Sequence, residues 1–227
     1  GHEVTAVLER DGGVLVTART AEAADAKFRA KFVVGCDGAN SFVRTSIGAP
    51  VTDLGFFYDW LIVDVRPHVP KLWSPLNIQI CDPTRPTTLV SGGPGRRRWE
   101  FMRLPGEAIE DLNREDTAWR LLAPWDVNPG NADLERHTVY RFQARWVEAW
   151  RKGRVLLAGD AAHQTPPFAG QGMCAGLRDA MNLGWKLDLV LGGRAPDSLL
   201  DAYAEDRMAH VRMMIEFAME LRTVICV

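Results

Sequence analysis

Two stretches bring chemistry-bearing residues to the ends of strand-like runs. The first is Gly35-Cys36-Asp37-Gly38-Ala39-Asn40-Ser41-Phe42-Val43-Arg44, entered from the apolar run Phe32-Val33-Val34. A strand here delivers an aspartate to a tight turn, and Gly38 lets backbone come close to a ligand. A helix capped by Asn40 or Ser41 offers free N–H groups and a positive dipole end, which suit phosphate. The fork of Arg44 fits phosphate oxygens. Taken alone, the stretch reads better as an ordinary strand–turn–helix connection in which Asp37 only caps.

The second stretch runs Gly159-Asp160-Ala161-Ala162-His163-Gln164-Thr165-Pro166-Pro167-Phe168-Ala169-Gly170-Gln171-Gly172-Met173. Asp160 can accept hydrogen bonds from a polyol. Ala161 and Ala162 leave room for another group, and Pro166 with Pro167 stiffens a wall. Gly170 to Gly172 opens a helix whose N-terminus can stabilise an anion that develops during a reaction. Two prolines and three glycines are more than a plain connection needs, so the functional reading prevails here. Gly170-Gln171-Gly172-Met173-Cys174-Ala175 satisfies G-x-G-x-x-A, but a dinucleotide fingerprint must follow its strand directly and precede a second strand. Here eleven residues separate Asp160 from Gly172, and another helix follows. It is not a phosphate loop of that type.

The elements that must position these residues follow from periodicity. Residues 2–9 and 13–19 alternate around Asp11-Gly12-Gly13, a hairpin signal. Between 56 and 104 the period is two, with strands at 58–66, 76–81, 87–91 and 97–104 punctuated by Pro and Gly. Residues 107–122 read as a helix and 133–146 as another strand. Arg154 to Ala158 is a strand entering Gly159-Asp160. A long helix follows, with Met173, Leu177, Met181, Gly184, Leu187 and Leu191 at helical period, ended by Gly192-Gly193. A last helix begins near Pro196-Asp197-Ser198, with the stripe Leu200, Tyr203, Val211, Met214, Ala218 and Leu221. The fold class expected is mixed α/β: 1–52 and 146–227 as parts of one α/β domain, and 53–145 as an inserted antiparallel sheet.

Composition bounds the function. The 227 residues are 47% hydrophobic, which excludes wholesale disorder. A net charge of −2 gives no footprint for nucleic acid or an anionic membrane surface. No apolar run approaches a membrane span. Cys36, Cys81, Cys174 and Cys226 form no C-x-x-C pair and read as reduced thiols in a cytoplasmic protein. The five histidines have no metal-ligand spacing, so no metal is expected.

The two stretches together closely resemble the D-G and G-D motifs of the single-component FAD-dependent aromatic hydroxylases, the class A flavoprotein monooxygenases. The second continues in the family's manner into Arg178-Asp179-Ala180-Met181-Asn182-Leu183. Cys81 to Pro86 and Arg96 to Glu107 look most like the 3-(3-hydroxyphenyl)propionate hydroxylase branch. The resemblance implies the rear part of a Rossmann-like FAD-binding domain carrying an inserted antiparallel substrate domain. It places Asp37, Gly38 and Arg44 near the flavin pyrophosphate and the path of the nicotinamide cofactor. It gives Gly159 and Asp160 to the ribityl chain, Pro166 and Pro167 to the wall along the isoalloxazine ring, and Gly170, Gln171, Gly172 and Met173 to its pyrimidine end. The implied reaction is hydroxylation of a small phenolic substrate by O₂ through a flavin C4a-hydroperoxide, with NADH or NADPH as reductant. No catalytic side chain is assigned, and homo-oligomerisation is left open. The alternatives are a flavin-dependent epoxidase or tailoring oxygenase of the same fold, or a truncated non-catalytic fragment that cannot hold FAD alone. The family opens with a G-x-G-x-x-G unit that nothing before Asp37 supplies. Together with the cut-looking ends at Gly1 and Val227, this leads us to expect a piece of a longer chain.

Several residues have a plainer expected role. His163 reads as an organiser of its loop by hydrogen bonding rather than as a base. Arg96-Arg97-Arg98 reads as a solvated strand start, although the run could attract an acidic aromatic substrate or a nicotinamide phosphate. Trp60, Trp73, Trp99 and Phe101 read as core, and the methionines of the last helix as packing.

Overall fold

The computed structural model describes residues 1–226, Phe56 by its backbone alone. In chain order the strands are β1 (His2–Arg10), β2 (Gly13–Thr20), β3 (Asp25–Ala30), β4 (Val33–Gly35), β5 (Val51–Pro67), β6 (Ile78–Ile80), β7 (Thr87–Ser91), β8 (Arg97–Met102), β9 (Ala132–Val147), β10 (Arg151–Lys152), β11 (Val155–Leu157) and β12 (His163–Gln164). The helices are α1 (Phe42–Ser46), α2 (Ile109–Leu112), α3 (Glu115–Leu122), α4 (Gly172–Leu191) and α5 (Asp201–Ile225). The chain divides into two compact units, Gly1–Gly55 with Ala144–Ala218, and Phe56–Gln143 with the residues from Met219 onward.

In the first unit, β1 and β2 form the expected hairpin, turned by Asp11 and Gly12 at positive φ. Strand β3 adds to it antiparallel. Its exposed, charged face gave no hydrophobic signal in the sequence. A separate small sheet has the order β10-β11-β4, with β4 parallel to β11. The Ala158 N–H donates to the Gly35 carbonyl at 3.0 Å, so the D-G and G-D turns leave the sheet side by side. Trp150, Tyr203, Val211 and Ile215 are all buried in this unit, and the Leu157 N–H of β11 donates to the Trp150 carbonyl at 2.9 Å. The Tyr203 hydroxyl donates to the Leu157 carbonyl at 3.0 Å.

Helix α4 departs from expectation in one respect. Its apolar stripe faces outward: Met173 is 76% and Met181 78% exposed, and Leu177 and Leu191 are exposed too. The buried face carries Ala175, Asp179, Leu183 and Lys186. In α5, by contrast, Tyr203, Val211 and Ala218 of the expected stripe are buried.

In the second unit, the strand order is β9-β5-β8-β7-β6, with β5, β8, β7 and β6 paired antiparallel. Alternation sends Leu61, Val63 and Val65 of β5, Leu89 of β7, and Trp99 and Phe101 of β8 to one face, where Leu112, Ala118 and Leu122 of α2 and α3 cover them. The single helix expected over 107–122 is two: Arg114 is extended, and a new helix starts with Glu115 and Asp116 against its positive end. The solvated start expected at Arg96 to Arg98 holds for its two outer members. Arg97 points inward with Trp99 and Phe101 and is 0% exposed.

Candidate functional site

The D-G turn is built around Asp37. Its carboxylate accepts from Ser41 Oγ at 2.5 Å and from the Val43 N–H at 3.0 Å, while Ser41 Oγ caps the Arg44 N–H at 2.9 Å. Burial works to raise the Asp37 pKa, but the Ser41 hydroxyl and the N–H groups of α1 outweigh it and hold the carboxyl below its ordinary range. Asp37 thus spends its oxygens inside the turn, as its capping reading anticipates. Gly35 has no space for a side chain: a Cβ there would meet Val43 Cβ at 2.7 Å.

Arg44 reaches across to the second motif. Nη1 donates to the Ala161 carbonyl at 3.1 Å and Nη2 to the Ala39 carbonyl at 2.7 Å. The same Ala39 oxygen also accepts from Arg145 Nη2 at 3.0 Å and from Gln164 Nε2 at 2.8 Å, and Arg145 Nε donates to Gln164 Oε1 at 2.7 Å. A carbonyl has two lone pairs, so three donors saturate it and clamp the D-G turn to the G-D loop. Arg44, Arg145, Asp160 and Gln164 line one narrow crevice. Arg145 and Gln164 were not anticipated as partners of the D-G turn, because they lie more than a hundred residues from Ala39 in sequence.

The G-D turn is held from behind by a buried charge cluster. Asp179 of α4 accepts from His163 Nε2 at 2.7 Å, from the Gly159 N–H at 3.0 Å and, through its other oxygen, from Arg207 Nε at 2.8 Å. Burial works to raise the Asp179 pKa, but His163, Arg207 and the Gly159 N–H together hold it below the ordinary value. With an ionised acceptor, His163 must carry its proton on Nε2, and its ring stacks on Trp150 at 5.3 Å. The organising role expected of His163 is what this geometry gives. Asp179 lies in the quoted Arg178-Asp179-Ala180 stretch, yet its spacing alone did not distinguish it from a surface aspartate.

Held this way, the front of the turn is free. Gly159 takes φ +60°, and α4 packs so near that a Cβ on Gly176 would lie 3.4 Å from the Gly159 Cα. Among the described residues no donor reaches the exposed Asp160 carboxylate. Pro166 is buried and Pro167 half-buried beside it in sequence. Gly170 takes the left-handed conformation (φ +61°) that ends the Pro167–Ala169 turn. Helix α4 then begins with no side-chain cap and no acid in its first turn, its first internal bond running from the Ala175 N–H to the Gln171 carbonyl. The N–H groups of Gly172 and Met173 are left without intrahelical partners. A Cβ at Gly170 or Gly172 would meet nothing within 4 Å, while the Gly170 N–H itself is taken by the Pro167 carbonyl at 2.8 Å, so it is not among the donors expected for a ligand. An unengaged carboxylate for hydroxyls and main-chain donors without intrahelical partners for an electron-rich edge fit the polyol chain and ring of a flavin.

The parallel β4–β11 pair, the paired D-G and G-D turns and the uncapped α4 define an FAD-domain architecture, and the chain belongs to the FAD binding domain family, whose model matches residues 1–218. It is 44% identical over 224 residues to a probable NADH-specific resorcinol 4-hydroxylase of Rhodococcus jostii (strain RHA1), covering 97% of this chain and 42% of that protein. It is 39% identical over 218 residues to 3-(3-hydroxy-phenyl)propionate/3-hydroxycinnamic acid hydroxylase 1 of Burkholderia vietnamiensis, covering 96% and 35%. Among solved structures, the ternary complex of aklavinone-11 hydroxylase with FAD and aklavinone superposes with a TM-score of 0.87 at 26% identity, over 99% of this chain and 44% of that one. The chain therefore spans about two fifths of the length of the curated relatives it matches.

Proposed function

We infer that these residues form the ribityl- and ring-facing part of an FAD site in a monooxygenase that hydroxylates a small phenolic substrate, with NADH or NADPH as reductant and O₂ as oxidant. The observation that carries this reading is the unengaged Asp160 carboxylate on a turn anchored from behind, next to the open, uncapped start of α4. When bound, FAD supplies the redox and oxygen-transfer chemistry. The protein's part is placement. Asp160 accepts from the hydroxyls of the ribityl chain, and Pro166 and Pro167 wall the ring. Gln171, Gly172 and Met173 present main-chain N–H groups where negative charge develops, needing no charged side chain. The Gly170 N–H is instead spent on the Pro167 carbonyl at 2.8 Å, and Gly170 serves by its turn conformation. Asp37 fixes the start of α1, and Arg44 keeps the two motifs in register by donating to the Ala161 and Ala39 carbonyls. The resorcinol and hydroxyphenylpropionate named for the two relatives support a phenolic substrate.

The test is FAD binding followed by flavin fluorescence and visible absorption. Asp160→Ala is expected to weaken FAD by about tenfold or more, the worth of hydrogen bonds to a charged group. Its melting temperature without FAD should stay unchanged, because the side chain makes no internal bond. A variant that holds FAD like the parent overturns the ribityl assignment. A parent chain that takes up no FAD favours the second reading, in which these residues complete a flavin site only together with further polypeptide. That reading is favoured by the two-fifths coverage of the relatives.

A further inference from the structure

The end of β5, the loop after it and the turn before β8 carry cations that their surroundings do not fully neutralise. Arg66 and Arg96 both bond Glu135, at 3.0 and 2.6 Å, so two guanidiniums share one carboxylate. Lys71 Nζ has no carboxylate or other acceptor among the described residues and lies 4.5 Å from the centre of the Trp73 ring. All three cations line one groove of about 570 Å³ in the second unit, and no aspartate or glutamate lines it. His68, on the same lining, is taken by Asp133 at 3.0 Å. Three cations against one shared carboxylate leave two positive charges unmatched.

The other walls are flat or bare. Trp73, Pro67 and Pro70 supply an apolar side. The turn Ser91-Gly92-Gly93-Pro94-Gly95 supplies another, with Gly93 and Gly95 at φ of +100° and +70°. A Cβ at either would meet nothing within 4 Å, so the main chain there is open to close approach. The Gly95 N–H has no acceptor among the described residues. These features discriminate between ligands. A single carboxylate meets one of the two charges, whereas a phosphate monoester carries about −1.5 to −2 at pH 7 and meets both. Inorganic phosphate leaves the Trp73 and proline side unused. A flat base carrying a phosphate uses the whole lining, and the groove has the size of a small-molecule site.

We propose that this groove binds a nucleoside monophosphate, its phosphate on Arg66, Lys71 and Arg96 and its base against Trp73, in the place the Lys71 ammonium now holds. The site lies outside the D-G and G-D motifs and does not rest on the flavin reading. The test is calorimetric titration of the full chain with GMP, which is a fragment of neither a flavin nor a nicotinamide cofactor. Guanosine and inorganic phosphate are the comparison ligands. Saturable binding of GMP, at least about tenfold tighter than that of guanosine or phosphate, supports the proposal. Lys71→Met, on an exposed loop, should weaken GMP about tenfold, in keeping with a lost charge-assisted bond. Glu135→Gln releases Arg66 and Arg96 from their shared carboxylate and should tighten GMP about threefold, the scale of an exposed ion pair. If Glu135→Gln does not fold, Lys71→Met decides. The proposal is overturned by an absence of saturable binding, by guanosine or phosphate binding as well as GMP, by undiminished binding in Lys71→Met, or by a folded Glu135→Gln that binds GMP no more tightly.

Discussion

Replacing Asp179 by alanine should damage the first unit more than any surface change. Three donors end on this one carboxylate: His163 Nε2 at 2.7 Å, Arg207 Nε at 2.8 Å and the Gly159 N–H at 3.0 Å. All lie in a region where Asp179 has 0% exposure and Arg207 7%. Removing the acceptor strands a buried guanidinium whose Nη2 already lacks a partner. Breaking a buried ion pair from one side costs about 3–5 kcal/mol, much of it the isolated remaining charge. Asp179→Asn keeps one acceptor oxygen but turns an N–H₂ toward another donor, so about 1–3 kcal/mol is expected. If the stranded charge is the cause, Asp179→Ala with Arg207→Met should cost less than the sum of the singles, by about 0.5–3 kcal/mol. Urea unfolding measures these differences, and amide exchange at Gly159 reports locally, since its N–H loses its acceptor. A cost for Asp179→Ala below about 1 kcal/mol, or strictly additive singles, would refute the picture of a charge hub holding the G-D turn.

Three further predictions concern two glycines and four carboxylates. Gly35→Ala drives a Cβ to 2.7 Å from Val43 Cβ and 3.0 Å from Leu157 Cδ2 and should destabilise by about 1–3 kcal/mol. Gly184→Ala, in mid-helix and facing open space, should stabilise by about 0.5–1 kcal/mol; equal melting shifts for the two would contradict the packing at β4. Asp37, Asp59, Asp64 and Asp179 all have pKa values lowered in the folded chain. Their contribution is therefore complete above roughly pH 5 and is lost as pH falls through the ordinary value of about 3.9 into the depressed ones. Thermal melts from pH 7 to 3 should show that loss, and a stability that stays level to pH 3 would contradict it.

The parts of the site readable from sequence are those in which residue type dictates backbone. Gly38, Gly159 and Gly170 all take positive φ, and Ser41 caps α1. Alternation along β5, β7 and β8 marked which residues enter the core of the second unit. What escaped depends on partners brought together by the fold. Nothing near Arg145 in sequence says that it shares the Ala39 carbonyl with Arg44. Arg96 to Arg98 read together as a solvated strand start, although strand alternation sends the middle member to the opposite face from its neighbours, and that face is the core.

Helix α4 shows why periodicity alone picked the outer face. A hydrophobic stripe is read from side-chain polarity, and Met173, Leu177 and Met181 supply a strong one. The opposite face is marked as polar by Asp179 and Lys186, yet both are buried, because each charge is consumed locally. Asp179 serves His163, Arg207 and Gly159, while Lys186 Nζ donates to Asp206 at 2.6 Å and to Asn182 at 2.8 Å. The inner face of α4 is polar because it must grip the main chain of the G-D turn, and a carboxylate grips an N–H in a way that leucine cannot. Charged side chains thus act behind the turn, where they fix the backbone. Among the described residues at the front of the turn, the main-chain donors at Gly172 and Met173 and the Asp160 carboxylate have no side-chain partner. An arrangement in this order has few side chains that would announce a catalytic residue in the sequence, since the positions of its groups are set by where the glycines place the backbone.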